Sequence, residues 1–189
     1  MLVCLQVFVG LAIGGVVVAK ITSVHGRARR LLAHHMVGDW IEICRMPSGS
    51  ELVAFVTIFD SGDTIRYDGE TFDATAKPVG FFRSEFIAAD NSIVTFRYSN
   101  RESSTAYFSE GTTSLRFIEN TAVRFKERRW VRYQATAHDF GAREAIIYEG
   151  VRASPEESAA FRGLDYQARG AAIERHLARL RRARGATSA

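Results

Sequence analysis

Cysteine is scarce in this chain: Cys4 lies in an uncharged apolar run and Cys44 in a strand-like segment, two among 189 residues. Settings so unlike exclude a disulfide between them, and no cysteine or histidine spacing suits a metal framework. Catalytic constellations are equally poor. His138-Asp139 closes a strand-like segment as a hairpin turn, and His34-His35 follows a basic stretch, but neither is joined by a nucleophile or a phosphate loop. The expectation is a protein that is not an enzyme and holds no cofactor or metal. Acidic residues are absent before Asp39, and no internal repeat is present.

What stands at the amino terminus is an apolar run. Leu2 to Ala19 carries no charge and one strongly polar residue, Gln6. As a helix this stretch spans roughly 28 Å, close to the hydrocarbon thickness of a bilayer. Val17 and Ala19 would suit signal-peptide cleavage, but the run has no positive region before it and exceeds the usual signal core in length. Residues 1–20 are therefore expected to form a retained transmembrane helix. Lys20, Arg27, Arg29 and Arg30 follow it, and the positive-inside rule places the carboxy-terminal bulk in the cytoplasm, where both cysteines stay reduced. Residues 21–35 form a basic connector with Leu31 and Leu32 as its apolar side.

The net charge of +4 is unevenly spread. Residues 20–35 hold four basic and no acidic residues, and residues 154–189 hold seven and four. The middle, 36–153, holds fourteen and seventeen. Basicity in the flanks suits anionic lipid headgroups, whereas an acidic middle argues against polymeric nucleic acid as a partner.

From Val37 onward, short segments rich in Val, Ile, Phe, Thr and Tyr alternate with Gly, Asn, Asp and Ser, the signature of strands and hairpins. Strands are predicted at Val37–Arg45, Leu52–Phe59, Thr64–Tyr67, Phe81–Ala88, Ser92–Tyr98, Thr105–Phe108, Ser114–Ile118, Val123–Lys126, Arg129–Ala137 and Ala145–Tyr148. Among the turns predicted between them are Asp68-Gly69 and Glu110-Gly111. Connections this short leave no room for crossover helices, so the sheet is antiparallel, and closure into a barrel of about eight strands removes its edges. Leu52 to Phe59 is apolar on both faces. The fold class is thus mainly β, an antiparallel lipocalin-like barrel over residues 36–152 behind one transmembrane helix.

Residues 153–189 form a basic helical tail. Ser154-Pro155-Glu156-Glu157 is a helix start with a capping box, and a second segment from Leu164 to Arg184 carries Ile173, Leu177 and Leu180 on one stripe. Gly163 and Gly170 are expected to split the tail into two pieces.

Gly10 and Gly14 form a GxxxG within the span, which allows two helix backbones to approach and points to a homo-oligomer. Gly38-Asp39-Trp40 opens the first strand as lipocalin-like barrels open, with Trp40 as a core residue closing one end. Together with the span and the connector, these features resemble the membrane-anchored, β-strand-rich effectors of bacterial cyclic-oligonucleotide antiphage systems. This chain has one span where that family has two. The resemblance implies an inner-membrane, single-pass protein whose cytoplasmic barrel binds a cyclic di- or trinucleotide and oligomerises to disrupt the membrane. Such a ligand needs cations for its phosphates and aromatic faces for its bases. Candidate ligand-binding residues are Arg66, Tyr67, Arg97, Tyr98, Tyr107, Arg116, Arg124, Arg132 and Tyr133, although strand neighbours such as Arg97 and Tyr98 cannot share a face. Two alternatives stand beside this one: a membrane-tethered lipocalin-like binder of an apolar ligand, which needs an apolar lumen, and a structural or assembly protein of the membrane.

Overall fold

Runs rich in β-branched and aromatic residues between Gly38 and Arg152 give eight strands: β1 (Gly38–Arg45), β2 (Glu51–Asp60), β3 (Ile65–Phe72), β4 (Pro78–Asp90), β5 (Ile93–Glu102), β6 (Phe108–Ile118), β7 (Arg132–Asp139) and β8 (Ile146–Arg152). The computed structural model describes residues 35–45, 51–62, 64–73, 75–90, 93–102, 108–118, 132–140, 145–163 and 165–185. The expected span at 1–20, the connector up to residue 34, and the strand expected at Val123–Lys126 lie outside them. Among the described residues, no helix is long and apolar enough to cross a membrane. The chain divides into two units, Met1–Met36 and Val37–Ala189, and every element named here belongs to the second.

Each strand pairs antiparallel with the next, and β8 returns to β1 through Trp40 opposite Arg152 and Cys44 opposite Tyr148. The result is a closed, up-and-down barrel in sequence order. Register fixes the faces, because partners in a pair point to the same side. Trp40, Glu42 and Cys44 share the inner face with Val56, Ala54 and Leu52 of β2. Ile41 and Ile43 share the outer face with Phe55 and Val53.

Three predicted turns are corrected. Asp68-Gly69 lies inside β3, His138-Asp139 forms the paired end of β7, and Glu110-Gly111 lies inside β6, which runs unbroken from Phe108 through the segment predicted at Ser114–Ile118, while residues 105–107 lie outside the described ones. Both glycines are there for room rather than for turning. Gly69 faces Phe82, Gly111 faces Tyr98 and, in the same way, Gly150 faces Tyr133 across the adjoining strand. A Cβ at any of the three would collide with the facing ring, so each aromatic lies flat over a glycine where the sheet curves. Gly38 is a different case: its φ of +137° is one that side chains with a Cβ rarely adopt, so the backbone itself asks for the glycine that precedes Trp40.

Two helices follow, α1 (Pro155–Arg162) and α2 (Tyr166–Gly185). Gly163 caps α1, whereas Gly170 lies within α2 and does not interrupt it. Their apolar side covers the outer face of β1 to β3. Phe161, Ala172 and Ile173 are buried against Ile41, Val53, Phe55 and Phe72, with Leu177 packed at the margin. Phe161 stacks on Phe55 with ring centroids 5.0 Å apart. This explains why β2 is apolar on both faces: one side meets the lumen and the other meets the helices. Basic residues of the tail serve the same docking. Arg169 is buried over the Phe72 ring at 4.7 Å and donates to the carbonyls of Phe161 and Gly163, and Arg162 pairs with Asp39 at 2.6 Å.

The capping box forms as the sequence predicts. Ser154 Oγ accepts from the Glu157 backbone N–H at 3.2 Å, and Glu157 Oε2 accepts from the Ser154 N–H at 2.9 Å. The other carboxylate oxygen of Glu157 meets His176 Nε2 of α2 at 2.8 Å, so one side chain caps α1 and ties it to α2. Burial pushes the Glu157 carboxyl upward, but the Ser154 N–H and His176 outweigh that and hold it below its ordinary value. Ser154→Ala is expected to lower the unfolding free energy by about 1 kcal/mol, the usual cost of a lost N-cap, measured by urea unfolding of the full chain. A stability unchanged by the substitution would mean that the cap contributes nothing to the folded state.

Candidate functional site

The inner face divides the barrel into a packed end and a hollow end. At the packed end Trp40, Ile58, Ile65, Leu115 and Tyr133 are all buried. The Trp40 ring meets Phe117 and Tyr133 with centroids 5.5 and 4.9 Å away, and the Arg152 guanidinium lies 4.5 Å from the ring centroid. Arg152 Nη1 also donates to the Val37 carbonyl at 2.9 Å, which fixes the cation over the indole.

Towards the other end the lumen opens into a cavity of about 600 Å³. That lies within the range of small-molecule sites. Leu52, Val79, Phe82, Ala137 and Ile146 give it apolar walls. At its base stands Glu42, one strand pleat above Trp40 and only 1% exposed. Tyr67 and Tyr133 both donate their hydroxyls to the same oxygen, Glu42 Oε1. Tyr148 Oη lies 3.4 Å from Tyr67 Oη and shares a hydrogen bond with Thr113 Oγ1. Nearer the ends of the strands, Tyr98 donates to Asp139 Oδ1. Asn100 also lines the cavity, and among the described residues its buried Oδ1 has no hydrogen-bond partner.

Burial dominates the electrostatics. It raises Glu42 to about 7, against the opposing pull of the Tyr133 and Tyr67 hydrogen bonds. Burial, and then the Glu42 charge, push Tyr67, Tyr133 and Tyr148 well above the ordinary tyrosine range, so all three remain neutral donors. Cys44, a free thiol, is pushed up by the same two causes and is a poor thiolate nucleophile. Among the described residues no group of three His, Cys, Asp or Glu side chains could hold a metal ion.

The residues predicted from sequence separate by face. Tyr67 and Tyr98 line the cavity, and Tyr133 lies directly beneath it. Their strand neighbours point the other way. Arg66 stands opposite Phe59 on the outer face. Arg97 pairs with Glu110 at 3.1 Å and Arg132 with Glu149 at 3.4 Å, both outside the barrel. Arg116 is exposed on the outer face of β6, opposite Gln134. The structure therefore gathers the tyrosines and disperses the arginines. Tyr107, Arg124, Gly10 and Gly14 lie outside the described residues.

No family model matches this sequence, and no curated protein matches it. Among solved structures, a de novo designed fluorescence-activating β-barrel is similar at 16% identity, with a TM-score of 0.43 over 64% of this chain and 96% of the designed one.

Sequence reasoning missed Glu42, although a signal for it was present. Glu42 falls two residues after Trp40, so a Trp40 that closes the barrel puts a carboxyl on the inner face by the period-two rule.

Proposed function

We propose that this protein is a lipocalin-like binder that holds a small, mainly apolar molecule in its barrel, tethered to the bacterial inner membrane by residues 1–20. One observation carries the reading: a cavity of about 600 Å³ walled by aliphatic and aromatic side chains, with no Lys or Arg among the described residues that line it. The same lining disfavours a cyclic di- or trinucleotide, whose phosphates would meet Glu42 and Asp139 instead of cations. Support for the tether is the uncharged run Leu2 to Ala19 with its basic flank.

The full-length protein should take up the neutral dye N-phenyl-1-naphthylamine with enhanced fluorescence. Ala137→Trp, which puts a large ring into the lumen from β7, should abolish that increment while keeping the far-ultraviolet β signal. Dye partitioning into lipid or detergent is common to both proteins and cancels in the difference. Equal fluorescence from parent and variant would defeat the proposal.

A further inference from the structure

The hydrogen-bonding capacity left over in the lumen leans towards acceptors, with the Ser109 hydroxyl and the Asn100 amide N–H groups as donors beside them. Tyr67 and Tyr133 commit their protons to Glu42, and Tyr98 commits its proton to Asp139. Both tyrosines occupy Glu42 Oε1, which among the described residues leaves Oε2 of a cavity-lining carboxyl for an occupant. Asn100 adds a buried amide oxygen without a partner among the described residues. The described lining carries two carboxyls, Glu42 and Asp139, and neither lysine nor arginine. Two carboxyls without a basic residue suit an occupant that brings donors, and positive charge fits them better than negative.

Resting on the reading of the lumen as a binding site, the geometry points to an amphipathic organic cation as the ligand: a protonated amine set on Glu42 among Tyr67 and Tyr148, with an apolar body against Leu52, Val79 and Ile146. A carboxylate desolvated at the base of a barrel is costly until a cation pairs with it. Tyrosine rings around the ammonium add cation–π attraction in a site sheltered from water. The apolar walls lie on the far side of the base from the packed end, so head and body of the ligand each find matching surroundings. A fatty acid meets the opposite arrangement, because its head group would lie against Glu42 or Asp139.

Three probes that share an indole body and differ in head charge separate these cases: tryptamine, tryptophol and indole-3-acetate. Isothermal titration calorimetry on the full-length protein should give tryptamine at least about tenfold tighter than tryptophol, with indole-3-acetate weakest. Glu42→Gln should shrink the ratio between tryptamine and tryptophol to less than about threefold, since a neutral amide lacks the charge that distinguishes them. Should that variant fail to fold, the order of the three probes in the unaltered protein decides alone. Tryptophol or indole-3-acetate binding as tightly as tryptamine would overturn the cation. So would a protein that binds none of the three while it takes up the neutral dye, because the lumen then binds apolar molecules without selecting charge. If the dye also fails to bind, the binding reading and the cation fall together.

Discussion

Trp40→Ala should lower the unfolding free energy of the full-length protein by about 3–5 kcal/mol, the range for deleting a fully buried large aromatic. Trp40 has no exposed surface and is the largest fully buried side chain among the described residues. Its removal withdraws more than its own transfer energy, because Phe117 and Tyr133 lose an edge contact and a tilted contact. Arg152 is then left beside an empty space instead of a ring face, with only part of its surroundings able to collapse. Consequences reach the cavity too. Tyr133 packs on Trp40 and donates to Glu42, so a loosened packed end loosens the group at the base of the site. Urea unfolding measures the first effect and the dye assay the second, and Trp40→Phe should lose less of both. A loss under about 1 kcal/mol would mean that the packed end can close without the indole.

How much of this was legible in the sequence depends on which physical rule was at work. The strand texture predicted an antiparallel barrel of about eight strands, because β-branched and aromatic residues in alternation have few other uses. Ser154 and Glu157 predicted a capped helix for a similarly local reason. Failures came where a residue's role depends on its neighbour across the sheet. Gly69 and Gly111 carry the local mark of turns, yet Phe82 and Tyr98 use the missing Cβ as space, and nothing near either glycine in sequence discloses that. Likewise the outer side of β2 is apolar because α1 and α2, a hundred residues later, cover it.

The predicted site shows the same division more sharply. Three Arg-Tyr doublets, Arg66-Tyr67, Arg97-Tyr98 and Arg132-Tyr133, each had to send one member inward by the period of two. Which member it was follows from register with β1. Once Trp40 is taken as an inner residue, the pairings carry the inner face from Val56 and Ile58 to Tyr67, and from Arg152 and Gly150 to Tyr133. All three tyrosines then fall inside, and the arginines fall outside with Glu110 or Glu149 or opposite Phe59. Desolvation enforces the choice, since a lone guanidinium in the lumen would cost far more than a phenol that finds a carboxylate.

The carboxyl that those phenols find should make the stability of the protein depend on pH in the direction opposite to that of an ordinary paired acid. Glu42 has a folded-state value near 7 and an ordinary value of 4.5. Below about pH 4.5 it is protonated in both states and costs nothing. Between 4.5 and 7 the unfolded chain releases its proton while the folded one keeps it, so each pH unit favours unfolding. Stability should fall across that window by about 3 kcal/mol in total and level off above it, once the folded state is ionised as well. The titratable side chains that face Glu42 are Cys44 on β1, Tyr67 on β3, Tyr133 on β7 and Tyr148 on β8, and each is pushed upward by burial. They stay neutral through the window and do not mask the effect. Other groups, Glu157 among them, titrate in parent and variant alike, so the informative quantity is the difference between the parent and Glu42→Gln. That difference, from urea unfolding at pH 5, 6, 7 and 8, should shift by about 1 kcal/mol per unit between pH 5 and 7 and then stay constant. Saturating tryptamine should flatten the slope, because an ammonium beside Glu42 stabilises the carboxylate that burial alone disfavours. A flat difference without any ligand would mean that Glu42 is already ionised in the folded protein, held so by Tyr67 and Tyr133 against its burial.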